Sequence, residues 1–232
     1  MSDKVEPNSI EIEPRHSLAG FQQQAMEGLQ NTIKRVAQYH EDKPEHRREI
    51  SLKSGVMLLQ SPTGSGKTLT LGRTIEGLRG QIIGKVVWFW FAPYTGLVSQ
   101  TREALNSQCG SLHLRDIYKD RESNNARDGD VFVQTWASMA SRKKDARKVR
   151  RTNERVLSAD DMLENLRADG FKVGVIIDEA HLNFGASAKA AAELYLDILR
   201  PDFTILATAT PNDDKLQAVS YTHLTLPTIL LV

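Results

Sequence analysis

The sequence contains a single cysteine, Cys109, among 232 residues. One cysteine cannot form an internal disulfide, and it cannot supply a zinc site built from several cysteines. No run of about 18 apolar residues occurs, so the sequence offers no candidate membrane span. The polar, acidic start MSDKVEPNSIEIEP lacks the apolar segment of a signal peptide. These absences predict a cytoplasmic protein without membrane contact.

A strong excess of charge is also lacking, since the formal net charge is +1. Any contact with a polyanion therefore needs a local basic patch. Residues 142–155 (RKKDARKVRRTNER) provide one, with eight Lys or Arg and two acidic residues. This segment could lie along a nucleic-acid backbone, with Arg147, Arg150 and Arg151 as the contacts, or it could be a solvated helix or loop. The composition favours neither reading.

Short apolar runs dominate the rest of the sequence, and most are nearly continuous rather than alternating, which is typical of strands buried on both faces of a parallel sheet. These runs are 56–60, 85–92, 112–118, 130–135, 172–178 and 203–209. Helical patterns are predicted for 18–39, 67–78, 96–105 and 187–199, and 40–49 is predicted to be a charged linker. The alternation predicts an α/β domain with a mostly parallel sheet and helices on both faces.

A helix is also expected within SADDMLENLRADG, residues 158–170. Ser158 is predicted to cap its first turn, with Asp161 in the place of the usual capping-box glutamate. Gly170 is predicted to end it.

The segment SPTGSGKT, which begins at Ser61, predicts a phosphate-binding loop between a strand and a helix. It follows the pattern GxxxxGK[ST], except that Ser61 replaces the first glycine. Glycines let successive N–H groups point at phosphate oxygens, and the following helix directs its positive end to the same place. Lysine would reach the β- and γ-phosphates of ATP, and the threonine hydroxyl would bind Mg²⁺. The predicted nucleotide-binding residues are Thr63, Gly64, Ser65, Gly66, Lys67 and Thr68. The alternative, a Gly/Ser turn, does not require lysine and threonine there.

Two acidic residues, Asp178 and Glu179, follow the apolar run VGVII. A carboxylate at the end of a buried strand is costly unless it is hydrogen-bonded or faces a cation. Beside a phosphate loop, Asp178 is predicted to hold Mg²⁺, and Glu179 is predicted to orient or deprotonate the attacking water. The alternative is that both residues only cap the next helix.

The motifs SPTGSGKT, DEAH and TAT together resemble motifs I, II and III of superfamily two helicases and translocases. Among these the chain is most similar to the ATPase of the type III restriction enzyme Res subunit. LAGFQ resembles the segment before motif I in that group, which implies that Gln22 contacts the adenine. The resemblance also implies that His181, Thr208 and Thr210 couple the nucleotide state to the grip on the strand.

The resemblance implies one RecA-like lobe over residues 17–218, after a loose leader at 1–16. The parent protein would couple Mg-ATP hydrolysis to movement on nucleic acid, most simply double-stranded DNA, and could work with methylation or specificity subunits. Two alternatives remain: another P-loop motor, such as a packaging ATPase, or a nucleotide-binding module without turnover.

The resemblance is weaker at motifs Ia and Ib. APYTGLVSQ, from Ala92, lacks the arginine usual in motif Ia, so phosphate contact there would depend on Thr95 and backbone N–H groups. VQTWASMA, from Val133, resembles motif Ib, with Thr135 and Ser138 as candidate contacts to a nucleic-acid backbone. An ordinary strand end and helix cap explains this second segment equally well.

The last residues, 219–232, differ in character from the rest, with no Asp, Glu, Lys or Arg among them. VSYTHLTLPT resembles the translation of a sequencing-library adapter, so this segment is predicted to be a non-native tail on a truncated parent. In superfamily two a second lobe supplies arginine fingers, and the isolated fragment is therefore expected to turn over ATP poorly.

Overall fold

One parallel sheet organises the computed structural model, which describes residues 17–140, 158–180, 192–209 and 228–230. Its strands are β1 Val56–Gln60, β2 Lys85–Ala92, β3 Leu114–Arg115, β4 Val131–Thr135, β5 Phe171–Ile177, β6 Phe203–Thr208 and β7 Thr228–Leu230. They lie in the order β3-β4-β2-β5-β6-β1-β7, and every neighbouring pair is parallel. β7 lies in the segment predicted to be a non-native tail, and the origin of that segment stays a prediction.

Each central strand sends its side chains alternately to two apolar layers, as expected for a sheet covered on both sides. In β2, Phe89 and Phe91 belong to one layer, whereas Trp88 and Trp90 belong to the other. All four side chains are almost fully buried. The continuous apolar runs in the sequence reflect this burial on both faces.

Helices cover both faces, which confirms the predicted α/β architecture. Their bounds are α1 Gly20–Asp42, α2 Arg47–Ser54, α3 Lys67–Leu78, α4 Thr95–Gln108, α5 Trp136–Ala140 and α6 Ala159–Ala168, with a π-helix at Leu194–Leu199. α1, α3 and α4 pack on one face, and α6 and the π-helix pack on the other. None of the helices in the described ranges is long and apolar enough to cross a membrane.

The predicted linker at 40–49 is wrong. α1 continues to Asp42, a 3₁₀ turn follows at Pro44–His46, and α2 begins at Arg47. α2 has few apolar residues, and only Ser51 in it is buried. The hydrophobic pattern of the sequence therefore could not predict this helix. Polar contacts stabilise it instead, since Arg47 Nε donates to Asp202 Oδ1 at 2.8 Å.

The predicted strand at 112–118 is much shorter than expected, because only Leu114–Arg115 pairs with β4. The chain turns at Asp116, whose Oδ1 accepts the Tyr118 N–H at 2.9 Å. The Asp116 N–H in turn donates to Asp120 Oδ2 at 2.9 Å. Such side-chain bonds to nearby backbone compete with strand pairing.

Candidate functional site

The carboxyl ends of three adjacent strands bring the predicted motifs together. β5, β6 and β1 are consecutive neighbours in the sheet, and Asp178, Thr208 and Ser61 stand at or just beyond their ends. The Ser61 N–H donates to the Thr208 carbonyl at 3.1 Å, so the β1–β6 ladder continues into the first residue of the loop. Thr208 is fully buried. In open parallel sheets this edge is where ligands bind.

The loop after β1 has the backbone that a phosphate loop requires. Gly64 and Gly66 have φ of 79° and 78°, a left-handed conformation that glycine adopts without steric cost. Gly66 is the N-cap of α3, and its carbonyl accepts the Thr70 N–H at 3.0 Å. Ser61, in the place of the usual first glycine, donates through Oγ to Ser65 Oγ at 2.5 Å. Its hydroxyl therefore bridges the two sides of the loop.

Lys67 lies under this loop, with 9% of the residue exposed. Its Nζ donates to the carbonyl oxygens of Ser61 at 3.0 Å and Pro62 at 3.3 Å. The same Nζ lies 3.8 Å from Glu179 Oε1. The loop and the acidic strand end thus share one ammonium group. An anion bound in the loop would compete with these oxygens for it.

Two backbone N–H groups form hydrogen bonds that hold Asp178 at the end of β5. Its N–H donates to the Phe91 carbonyl at 2.9 Å, and its Oδ1 accepts the Glu179 N–H at 3.0 Å. Burial raises the pKa of the Asp178 carboxyl above its ordinary value, and the neighbouring Glu179 charge raises it further. Lys67 opposes both effects, but as the smallest contribution. A divalent cation would stabilise the charged carboxylate here.

Trp90 is a contributor to the site that the sequence did not suggest. Its buried Nε1 has no partner in full hydrogen-bond geometry, yet it is near enough to Asp178 to favour the charged carboxylate. We regard it as a long polar contact rather than a hydrogen bond. The strand register explains its position, because Trp90 pairs with Ile176, two residues before Asp178; the sequence carried no signal for this contact.

Glu179 has a φ of 46°, a conformation rare for residues other than glycine. Its side chain is 22% exposed and stays within reach of Lys67. Backbone strain of this kind costs on the order of 1–3 kcal/mol and is concentrated at functional sites. Nothing in the sequence distinguished this backbone from an ordinary helix cap.

The oxygen ligands near the loop suit magnesium. Thr68 is the second residue of α3 and is partly buried, and Asp178 supplies a carboxylate whose negative charge is costly in its present surroundings. Among the described residues, no group of three or more His, Cys, Asp or Glu could hold a metal alone. Magnesium commonly uses one or two protein carboxylates together with substrate phosphates, so this smaller set fits.

Gln22 lies against the loop. Its Nε2 donates to the Ser65 carbonyl at 2.7 Å, and its Oε1 accepts the Ala19 N–H at 2.8 Å. A Cβ added at Gly66 would meet Gln22 Nε2 at 2.3 Å, so the glycine there also permits this close approach. The predicted contact between Gln22 and adenine stays a prediction. Thr63 and Gly64 are exposed at the tip of the loop.

Three of the candidate nucleic-acid contacts lie among the described residues, at or after the carboxyl ends of β2 and β4. Thr95 is exposed at the first residue of α4. Thr135 and Ser138 bond to each other at the start of α5, because Ser138 Oγ donates to the Thr135 carbonyl at 2.7 Å and Thr135 Oγ1 accepts the Ser138 N–H at 3.3 Å. This is the helix-cap arrangement of the alternative reading. Arg147, Arg150, Arg151, His181 and Thr210 lie outside the described residues.

A family model provides the decisive comparison. The model described as "Type III restriction enzyme, res subunit" matches residues 15–213. The chain belongs to this family. The match covers the loop, the acidic strand end and all six strands from β1 to β6. No curated protein matches the chain.

Solved structures of similar fold agree with this assignment. The SWI2/SNF2 ATPase core of Sulfolobus solfataricus, solved with dsDNA, has a TM-score of 0.51 and 16% identity over 88% of this chain. The UvsW helicase of bacteriophage T4 has a TM-score of 0.51 and 15% identity over 93% of it. The chain spans 35% and 62% of those two chains. At these identities the likeness shows the fold alone, a RecA-like α/β lobe.

Proposed function

We propose that the loop from Ser61 to Thr68 and the acidic pair Asp178 and Glu179 form a Mg-ATP site. The observation that supports this most directly is the convergence of the two motifs on Lys67, whose Nζ contacts the loop carbonyls and lies 3.8 Å from Glu179 Oε1. The two left-handed glycines leave the loop backbone open to phosphate oxygens.

The residues of the site would divide the work of hydrolysis. Lys67 would exchange its carbonyl partners for β- and γ-phosphate oxygens. Magnesium, when bound, would neutralise the developing charge on the phosphates, held through the Thr68 hydroxyl and the Asp178 carboxylate. Glu179 would orient the attacking water and accept its proton. Thr63, Gly64, Ser65 and Gly66 would donate backbone N–H groups to the phosphates, and Gln22 would contact the adenine.

We further propose that the protein of which this lobe is a part uses ATP hydrolysis to move on double-stranded DNA. Membership of the family supports a helicase or translocase, and the Sulfolobus neighbour was solved with dsDNA. On this proposal Thr95, Thr135 and Ser138, together with Arg147, Arg150 and Arg151, contact the nucleic-acid backbone, and His181, Thr208 and Thr210 couple it to the nucleotide. Methylation or specificity subunits are the partners that the family suggests.

Calorimetric titration with Mg-ATP tests the nucleotide site. We expect Lys67→Ala to weaken binding by at least about tenfold, because the variant loses charge-assisted hydrogen bonds to phosphate. Lys53→Ala is the matched control, since Lys53 is exposed on α2 and pairs with Glu49 at 2.6 Å. Equal affinities for the Lys67→Ala variant and the unaltered protein would contradict the assignment.

Fluorescence anisotropy tests the nucleic-acid partner. Labelled duplex DNA, duplex RNA and single-stranded DNA of equal length are titrated with the protein at several salt concentrations. We expect duplex DNA to bind most tightly and its affinity to fall with salt, and we expect replacement of Arg147, Arg150 and Arg151 by glutamine to reduce that slope. Tighter binding of duplex RNA would contradict the DNA assignment, and an unchanged slope would remove the arginines from the interface.

A further inference from the structure

A groove lies at the amino edge of the sheet, opposite the edge that carries the phosphate loop. It borders Phe171, the first residue of β5, and Asp202, which directly precedes β6. Its volume is about 430 Å³, a size typical of sites that hold small organic molecules. α2, the end of α6 and the π-helix supply its other walls. The proposed nucleotide site uses none of these residues.

The inner surface of this groove is apolar. Leu52, Phe171, Tyr195 and Leu196 line it. The Tyr195 hydroxyl is engaged with Thr204 Oγ1 at 2.8 Å, and burial raises the pKa of Tyr195 to about 12, so the phenol stays neutral. The Tyr195 ring therefore contributes an uncharged surface to the groove. An apolar lining of this kind favours a ligand that carries an aromatic or aliphatic part.

The rim is cationic. Two acidic residues and four arginines line the groove: Glu45, Asp202, Arg47, Arg48, Arg167 and Arg200. The Asp202 charge is already compensated, because Oδ1 accepts from Arg47 Nε at 2.8 Å and Oδ2 accepts the Val173 N–H at 2.8 Å. Asp202 thus holds the rim in place and offers little repulsion to an incoming anion.

The other three arginines have few acidic partners. Arg48 Nη2 donates to the Leu196 carbonyl at 2.9 Å, and no carboxylate within the described ranges lies at ion-pair distance from Arg48. Arg167 and Arg200 share one exposed carboxylate, that of Glu164. Burial, followed by the nearby Arg200 charge, lowers the pKa of Arg167, and its Nη2 also donates to two carbonyl oxygens of the π-helix.

One wall of the groove has an unusual backbone, which is a second and independent observation. Tyr195 and Leu196 belong to the π-helix Leu194–Leu199, which ends at Arg200 with a φ of 36°. π-Helical turns are rare and occur often at functional sites. Left-handed residues commonly end helices, but the residue there is usually glycine rather than arginine.

We propose that this arginine-rimmed groove, formed by the lining residues named above, binds a small organic anion with an aromatic or aliphatic part next to a carboxylate, sulfonate or phosphate group. The apolar lining suits the aromatic or aliphatic part of such a ligand, and the arginines suit its anionic group. An inorganic anion would leave the apolar surface in water, and a neutral apolar ligand would leave the excess positive charge of the arginines uncompensated.

Three probes separate these possibilities in calorimetric titrations of the full 232-residue chain. They are naphthalene-2-sulfonate, the neutral 2-naphthalenemethanol and inorganic sulfate. We expect the sulfonate to bind at one saturable site, and we expect the neutral probe and sulfate to bind at least about tenfold more weakly. A neutral probe that binds as tightly as the sulfonate would overturn the proposal.

Substitutions locate the binding. We expect Arg48→Gln and Arg200→Gln each to weaken sulfonate binding by about tenfold, and Arg48→Glu to weaken it further. Lys53→Gln, on the same helix as Arg48 but outside the groove, should leave the affinity unchanged. Circular dichroism confirms that each variant is folded. Unchanged affinity in both arginine variants would overturn the proposal.

Competition keeps the groove distinct from the nucleotide site. Saturating Mg-ATP should not displace naphthalene-2-sulfonate, and Lys67→Ala should bind the sulfonate with the affinity of the unaltered protein. Displacement by Mg-ATP would assign the sulfonate to the phosphate loop and would overturn the proposal of a separate site. A failure of Mg-ATP to bind at all would contradict the nucleotide proposal and leave this one standing.

Discussion

The two edges of the sheet treat a buried aspartate in opposite ways. At the carboxyl edge, burial raises the pKa of Asp178 and the neighbouring Glu179 charge raises it further, although its Oδ1 accepts a backbone N–H. At the amino edge, Asp202 accepts both the Arg47 guanidinium and the Val173 N–H. The surroundings of the first carboxylate disfavour its charged form, whereas the second is paired with a guanidinium group.

From this difference we infer that one carboxylate stabilises the fold and that the other binds a ligand. A stabilising residue has its partners within the chain, as Asp202 does. A residue that must receive a cation lies where its negative charge is disfavoured until the cation binds, at some cost to the folded state. The comparison therefore predicts opposite effects on stability when each aspartate is replaced.

The largest effect is expected at the amino edge. Asp202→Ala should lower the free energy of unfolding by about 3 kcal/mol, because it leaves Arg47 without its partner and the buried Val173 N–H unsatisfied. Urea denaturation measures the change. Asp169→Ala, at an exposed position just after α6, should cost far less. A similar loss in both variants would show that the contacts of Asp202 do not stabilise the fold.

An intermediate effect is expected from His40, which is 2% exposed and hydrogen-bonded through Nε2 to Ser51 Oγ at 3.0 Å. Burial lowers the pKa of His40 below its ordinary 6.5, although Asp202 opposes this. The unfolded chain then binds a proton more readily than the folded one, so stability is lost as pH falls below 6.5 towards the folded pKa.

The His40→Gln variant should show a flatter dependence of stability on pH in that window, measured by urea denaturation at several pH values. The matched control is His46→Gln, since the His46 side chain is 57% exposed. If the control flattens the dependence as much as His40→Gln does, the loss of stability does not come from the buried histidine.

The smallest effect, with the opposite sign, is expected from Asp178→Asn. Because its pKa is raised above 3.8 in the folded protein, ionisation of Asp178 costs stability as pH rises through the folded pKa, and the full cost remains at neutral pH. The metal-free variant should therefore melt a few degrees higher than the unaltered protein. It should also lose the magnesium dependence of nucleotide binding. A lower melting temperature would show that Asp178 serves the fold.

The sequence predicted the sheet well because its strands are buried on both faces and therefore read as continuous apolar runs. α3 was predicted with its observed bounds, and Ser158 caps α6 as expected, since its Oγ accepts the Asp161 N–H at 3.0 Å. The candidate site residues could be proposed from the sequence because phosphate chemistry demands specific residue types at fixed spacing, and their roles stay a prediction. The family match over residues 15–213 includes both motifs.

What the sequence could not predict depends on contacts between distant residues. α2 has almost no apolar pattern and is stabilised through Asp202, 155 positions after Arg47. The positive φ of Glu179 follows from how β5 ends beside the loop, not from the preferences of glutamate. No sequence motif predicts the groove, because its four arginines come from α2, the end of α6 and the residue after the π-helix.

α1 joins the two edges as a single strut. Its first turn bonds to the phosphate loop through Gln22, and its last turns carry His40 beside Asp202 and Glu41, which pairs with Lys172 at 2.8 Å. With 23 residues it is about 34 Å long. A rigid rod pinned at both ends cannot tilt at one of them alone. A rearrangement of the loop that displaces Gln22 would therefore also displace the other end of α1, at the opposite edge of the sheet.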